Sequence, residues 1–251
     1  MSQLQKKISQ IGRREGGGIG FGSAKGDQPR AMLLGVLAAD ASAAKAALAA
    51  GADVIIARAG ADKAKGVIGG AGGNGRAVGA WAGELDEAGA SALRDAGCDF
   101  VVGTLEGIAS GAVDTDKMGL VLEVTAGISD TTLRALPSLG LDGLFLERTP
   151  GPMKLADQLE LVRLVSFSGS QLLVPVGPET TVAEFRVLRD SGVAVAVAPQ
   201  GSNAEQIKAL LKRLEEVPPR KPRREGADIA LVPALAAKQE HEHDDEDDDF
   251  E

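Results

Sequence analysis

The feature that most constrains what this chain can fold into is an alternation that starts at Ala31 and continues to residue 217. Eight short apolar runs recur along it: AMLLGVLA (31–38), ADVIIARA (52–59), AVGAWAG (77–83), CDFVVGTL (98–105), GLVLEVT (119–125), GLFLERT (143–149), QLLVPVG (171–177) and VAVAVAP (193–199). Between and after them lie helical stretches such as SAAKAALAAG (42–51), DEAGASALRDAG (86–97), DTTLRALPSLG (130–140), MKLADQLELVRLVSFSG (153–169), TVAEFRVLRDSG (181–192) and NAEQIKALLKRLEEV (203–217). Continuous apolar runs suit parallel strands covered on both faces. Strands alternating with helices imply right-handed βαβ units. Eight units in about 190 residues predict an α/β chain folded as a compact (β/α)8 TIM barrel, with an open doubly wound sheet as the runner-up.

Punctuation supports the pattern. Gly51, Gly97, Gly140 and Gly192 each stand just before a strand, where a left-handed C-cap is wanted. Asp86, Ser129 or Asp130, and Thr180 or Thr181 are candidate N-caps. The stretches 61–76 and 106–117 are glycine-rich and thin, with room for a short helix at most. Residues 1–30 form an extension in which Leu4, Ile8 and Ile11 share one helical face, followed by the glycine-rich GGGIGFGSAKG (16–26). That helix is expected to close the bottom of the barrel; the sharper alternative is a membrane-surface or partner helix. The barrel spans 31–217. Residues 218–251 read as a basic Pro-rich linker, a short apolar segment (228–237) and an acidic, disordered tail.

Composition narrows the function. The net charge of −9 is misleading, because residues 240–251 hold nine of the 36 acids and no base. The remaining 27 acids match the 27 bases, so the body is neutral and offers no field for nucleic acid. One Trp, six Phe and no Tyr leave few aromatic faces for stacking bases or sugars. A single Cys excludes an internal disulfide framework. No apolar run approaches the ~20 residues of a membrane span, and the expected location is cytoplasmic.

In a barrel of this kind the site stands at the C-terminal ends of the strands. Both histidines, His241 and His243, fall in the tail, and no lysine lies within a strand. This argues against imidazole chemistry, zinc and a Schiff-base aldolase. Carboxylates and arginines remain. Glu123 and Glu147 each hold the fifth place of their runs, GLVLEVT and GLFLERT. Adjacent strands lie ~4.8 Å apart, so the two carboxylates at one level would share a proton or a divalent cation, with Mg²⁺ suiting an all-oxygen donor set. Arg58 and Arg148 would grip an anionic substrate. The structural alternative is an ion pair between Glu147 and Arg58.

A second signal lies at strands 7 and 8. Gly177, Gly201, Ser202 and Asn203 form short turns, the last two opening the final helix, which is how a barrel offers backbone N–H groups to a phosphate. This stretch, VPVGPETTVAEFRVLRDSGVAVAVAPQGSNAEQIKALLKRL, resembles the C-terminal quarter of the aldolase-type, phosphate-binding barrels. It departs from them in having Gly177-Pro178 for a double glycine and Pro199-Gln200 before Gly201-Ser202. Pro178 has no N–H to donate. The resemblance implies a TIM barrel with a phosphorylated or carboxylated small-molecule ligand, and it brings in FMN as a less favoured cofactor.

The leading expectation is therefore a lyase or isomerase working through Glu123 and Glu147. The alternative is a non-catalytic barrel whose termini, residues 218–251 above all, recruit a protein partner.

Overall fold

The structure, a computed structural model, describes residues 1–11, 30–58, 61–72 and 75–218. The glycine-rich loop at 16–26 and all but the first residue of the 218–251 segment lie outside the described residues.

The eight runs become eight parallel strands: β1 (Leu33–Ala38), β2 (Val54–Ala57), β3 (Ala77–Trp81), β4 (Phe100–Gly103), β5 (Gly119–Val124), β6 (Gly143–Leu146), β7 (Leu172–Pro175) and β8 (Val193–Ala198). They pair in sequence order, and β8 pairs back to β1, closing the barrel. Around it run α2 (Ala41–Ala49), α3 (Ala61–Gly70), α4 (Glu87–Asp95), α5 (Asp130–Ala135) with a 3₁₀ turn (Leu136–Leu139), α6 (Leu155–Ser168), α7 (Val182–Asp190) and α8 (Ala204–Glu215). No helix stands between β4 and β5. Turns fill that connection, as the thin 106–117 sequence suggests, while 61–76 does carry α3.

The caps fall where side-chain chemistry puts them. Asp86 accepts the N–H of Gly89 at 2.7 Å, and Ser129 that of Thr132 at 3.1 Å. Thr181 and Glu184 form a reciprocal capping box. Gly51 has φ of +102°, a conformation that L side chains rarely adopt, and a β-carbon there would also meet Leu211 at 2.9 Å.

Strand periodicity divides the apolar residues into two layers. One set packs against the helices. The other, with Leu37, Ile56, Phe100, Val121, Phe145 and Val195 among its members, fills the barrel. Gly79 belongs to the inner set, because a β-carbon there would come within 2.3 Å of the Phe100 ring. The ring occupies the volume that Gly79 leaves.

The bottom is closed by α1 (Gln3–Gln10). Leu4 is 0% exposed within the inner cluster, and Ile8 and Ile11 pack against it. Three aspartates, Asp53, Asp99 and Asp142, immediately precede β2, β4 and β6. Asp99 accepts the backbone N–H groups of Gln3 (2.7 Å) and Leu4 (2.9 Å), placing a carboxylate at the positive end of the helix. Asp142 accepts the Ser2 hydroxyl. Asp53 binds Arg30 and the N–H of Leu34, each at 2.9 Å. Burial is the main cause that raises both Asp99 and Asp142 above the ordinary carboxyl range; the hydrogen bonds oppose it. Thus the face of α1 that reads as amphipathic is the barrel's floor.

Candidate active site at the barrel mouth

Glu123 lies on β5 two residues beyond Val121, which is buried in the inner cluster, so it points into the barrel near its C-terminal end. It is half-buried. Its carboxyl is raised above the ordinary 4.5, first by burial and then by the charge of Glu147. Arg58 opposes the rise, as does the Trp81 indole acting as hydrogen-bond donor. Arg58 follows β2, its N–H bound to the Ala38 carbonyl at 3.0 Å. Its guanidinium lies 4.5 Å from the centre of the Trp81 ring, a cation–π distance. Trp81 in turn meets Phe145 edge-on, with ring centroids 4.6 Å apart at 77°. Glu147 is exposed just past β6, its N–H bound to the Val124 carbonyl at 2.8 Å.

One expectation needs correcting. The two glutamates do not stand at one level. Glu123 is registered opposite Phe145, which places Glu147 two residues further toward the mouth. Barrel strands are staggered against one another, and equal positions in two segments therefore land at different heights. Glu147 and Arg58 also form no ion pair among the described residues. The structure brings Glu123, Glu147, Arg58, Trp81 and Phe145 into one cluster, with the inner carboxylate sensing the outer one. Two carboxylates supply only part of a Mg²⁺ shell, and among the described residues no group of three or more His, Cys, Asp or Glu converges.

The expected phosphate residues divide into two places. Arg148 and Gly177 line one small cavity of about 10 Å³, together with Thr180 and Glu184. That is room for about one water molecule. Gly201, Ser202 and Asn203 are not part of it. Ser202 gives its hydroxyl to the Pro199 carbonyl at 2.7 Å, and Asn203 caps α8 through Gln206 in both directions, at 2.9 and 3.0 Å. Arg213 of α8 binds the Pro178 and Thr180 carbonyls at 2.6 and 3.1 Å, tying the strand 7 turn to the last helix.

Trp81 and Phe145 are the site residues that sequence reasoning missed. Their signal was available: Trp81 is the chain's one Trp, and it shares strand parity with Ala77 and Gly79. Cys98 takes no part. It is buried at the opposite end of the barrel, its thiol pushed up to about 12 by burial.

A closed barrel of eight parallel strands alternating with helices is the (β/α)8 TIM-barrel fold. No protein-family model matches the chain, and no curated protein does. Solved structures do match. One is KGPDC from Streptococcus mutans, at a TM-score of 0.58 and 12% identity over 74% of this chain and 98% of that one. A 3-hexulose-6-phosphate synthase gives 0.53 and 20% over 74% and 99%. The orotidine 5'-phosphate decarboxylase of Pyrococcus horikoshii gives 0.53 and 14% over 72% and 98%. Identities this low establish the fold.

Proposed function

We propose that the protein binds a small phosphorylated or carboxylated metabolite at the barrel mouth and acts on it as a lyase or isomerase by proton transfer. The observation that carries this reading is Glu123, a half-buried carboxyl aimed into the mouth and raised by burial and Glu147. A carboxyl with a raised pKa is better matched to exchanging protons near neutral pH. Glu123 would take a proton from carbon next to a carbonyl. Arg58 would face the negative charge that develops, and Arg148 beside Gly177 would hold the anionic end. Two of the similar structures are named for phosphate esters, which favours a phosphorylated ligand. Mg²⁺ held by Glu123 and Glu147 is the less favoured form, because Arg58 already supplies positive charge there. The flavin alternative draws no support from a cavity of about 10 Å³ beside Gly177. A metabolic barrel of this kind would work in the cytoplasm. Among the described residues no helix is long and apolar enough to cross a membrane.

The test is native mass spectrometry against a panel of phosphorylated and carboxylated metabolites, followed by deuterium exchange from solvent into any ligand retained. Glu123→Gln should keep the ligand and lose the exchange, while Arg148→Ala should lose the ligand. Unchanged binding and exchange in both variants would sink the reading.

One observation favours a non-catalytic barrel instead: Arg58 stacks on Trp81, and Trp81 on Phe145, so these groups already partner one another without a ligand. In that case residues 218–251 would recruit a protein partner, and a chain ending at Val217 would lose its cellular associations.

A further inference from the structure

Outside the strands, at the C-terminal end of β3, the outer layer between α3 and α4 holds a cavity of about 380 Å³. Native packing leaves few gaps larger than a water molecule, whereas ligand sites begin at about 300 Å³. The cavity exists because the residues facing it are small. Ala64 of α3 and Gly89 and Ala92 of α4 form its sides, and Ala80 and Ala82 its floor.

Its wall is built so that it cannot easily collapse. The segment after β3 is fastened to the β4 loop by a short parallel bridge, with the Leu85 N–H on the Gly107 carbonyl at 2.8 Å and the Ala109 N–H on the Leu85 carbonyl at 2.9 Å. Gly107 sits so close to Gly83 that a β-carbon would come within 1.9 Å of its carbonyl oxygen. Asp86 then starts α4 as its N-cap.

Three charged side chains line the opening: Lys65, Glu84 and Asp86, all exposed. Asp86 is committed to the Gly89 N–H. Among the described residues Glu84 makes no ion pair and no hydrogen bond. Two carboxylates against one ammonium leave a net negative rim above an apolar chamber.

We propose that this cavity is a second small-molecule site, for an apolar molecule bearing an amine. The apolar body would enter the Ala- and Leu-lined chamber and the ammonium would meet Glu84. Trp81 lies in the strand segment that lines the cavity, between the outward-facing Ala80 and Ala82, while its ring packs on Arg58 and Phe145 at the mouth. The site itself does not depend on any chemistry at Glu123.

The test uses the full chain, n-hexylamine as probe, and the emission of the single Trp as readout. Saturable binding of hexylamine is expected, with hexanoate at least tenfold weaker. Glu84→Gln should raise the Kd about threefold, as befits an exposed ion pair, and Ala92→Phe should abolish binding by filling the chamber. Glu84 is exposed, so its variant keeps the test valid should Ala92→Phe fail to fold. Hexanoate binding as well as hexylamine, no saturable binding of hexylamine, or binding indifferent to Glu84→Gln overturns the proposal.

Discussion

Leu4→Ala is the sharpest test of how the barrel is closed. The Leu4 side chain is 0% exposed and lies with the inner-barrel residues, although it belongs to a helix outside the sheet. Truncation removes three carbon atoms from that setting, worth about 2.4 kcal/mol at roughly 0.8 kcal/mol per buried methylene. A residual cavity adds to this, and core Leu→Ala changes cost about 2–5 kcal/mol in all. Because α1 is short, it can settle toward the gap, so we expect about 2.5–3.5 kcal/mol. Leu155→Ala on α6 is the control, since Leu155 is 81% exposed and its loss should stay within about 0.5 kcal/mol. Urea unfolding followed by Trp81 emission and far-ultraviolet circular dichroism measures both, with the denaturant slope expected to stay constant. A Leu4→Ala loss below about 1 kcal/mol, or one equal to that of Leu155→Ala, would show that α1 is not the floor of the barrel.

Three further outcomes are expected. Gly79→Ala drives a β-carbon into the Phe100 ring and should cost about 1–3 kcal/mol, partly recovered by Phe100→Leu; an unchanged melting temperature refutes the contact. Asp142 is raised above its ordinary 3.8 mainly by burial, so its favourable contribution is complete below that value and is lost as pH rises through the folded-state value. Asp142→Asn should therefore be more stable than the parent at pH 7, with the gap closing as pH falls toward 4; a gap that widens instead contradicts the sign. Removing Arg58 takes away a charge that lowers Glu123, so Arg58→Ala should move the Glu123 titration upward in a carboxyl-resolved NMR experiment, and a downward shift would place Arg58 elsewhere.

Much of this architecture could be read from the chain. Strand runs and glycine caps are local signals, and all eight strands fall inside the apolar runs that suggested them. The inward aim of Glu123 could not be read that way, because one residue of register decides which face a side chain takes. Nor could the offset between Glu123 and Glu147. GLVLEVT and GLFLERT look superimposable, yet the stagger of the closed barrel sets Glu123 beside Phe145. The Arg58–Trp81–Phe145 cluster joins the end of β2 and its neighbour β3 to the distant β6, and has no local signature. The floor was partly legible, since Leu4, Ile8 and Ile11 announce an apolar face. The aspartates that fasten it resemble ordinary loop residues until the fold brings them under α1.

That fastening has a consequence for how the protein is made. Ser2 bonds to a residue 140 positions later, and Leu4 to one 95 positions later. At a synthesis rate of about 5–20 residues per second, Asp142 leaves the ribosome roughly 7–28 seconds after Ser2. Until then the apolar face of α1 lacks its closed barrel and the second of the carboxylates that anchor it. A segment made well before its partners is thus among the last to be buried, and its apolar face waits for the barrel to close over it.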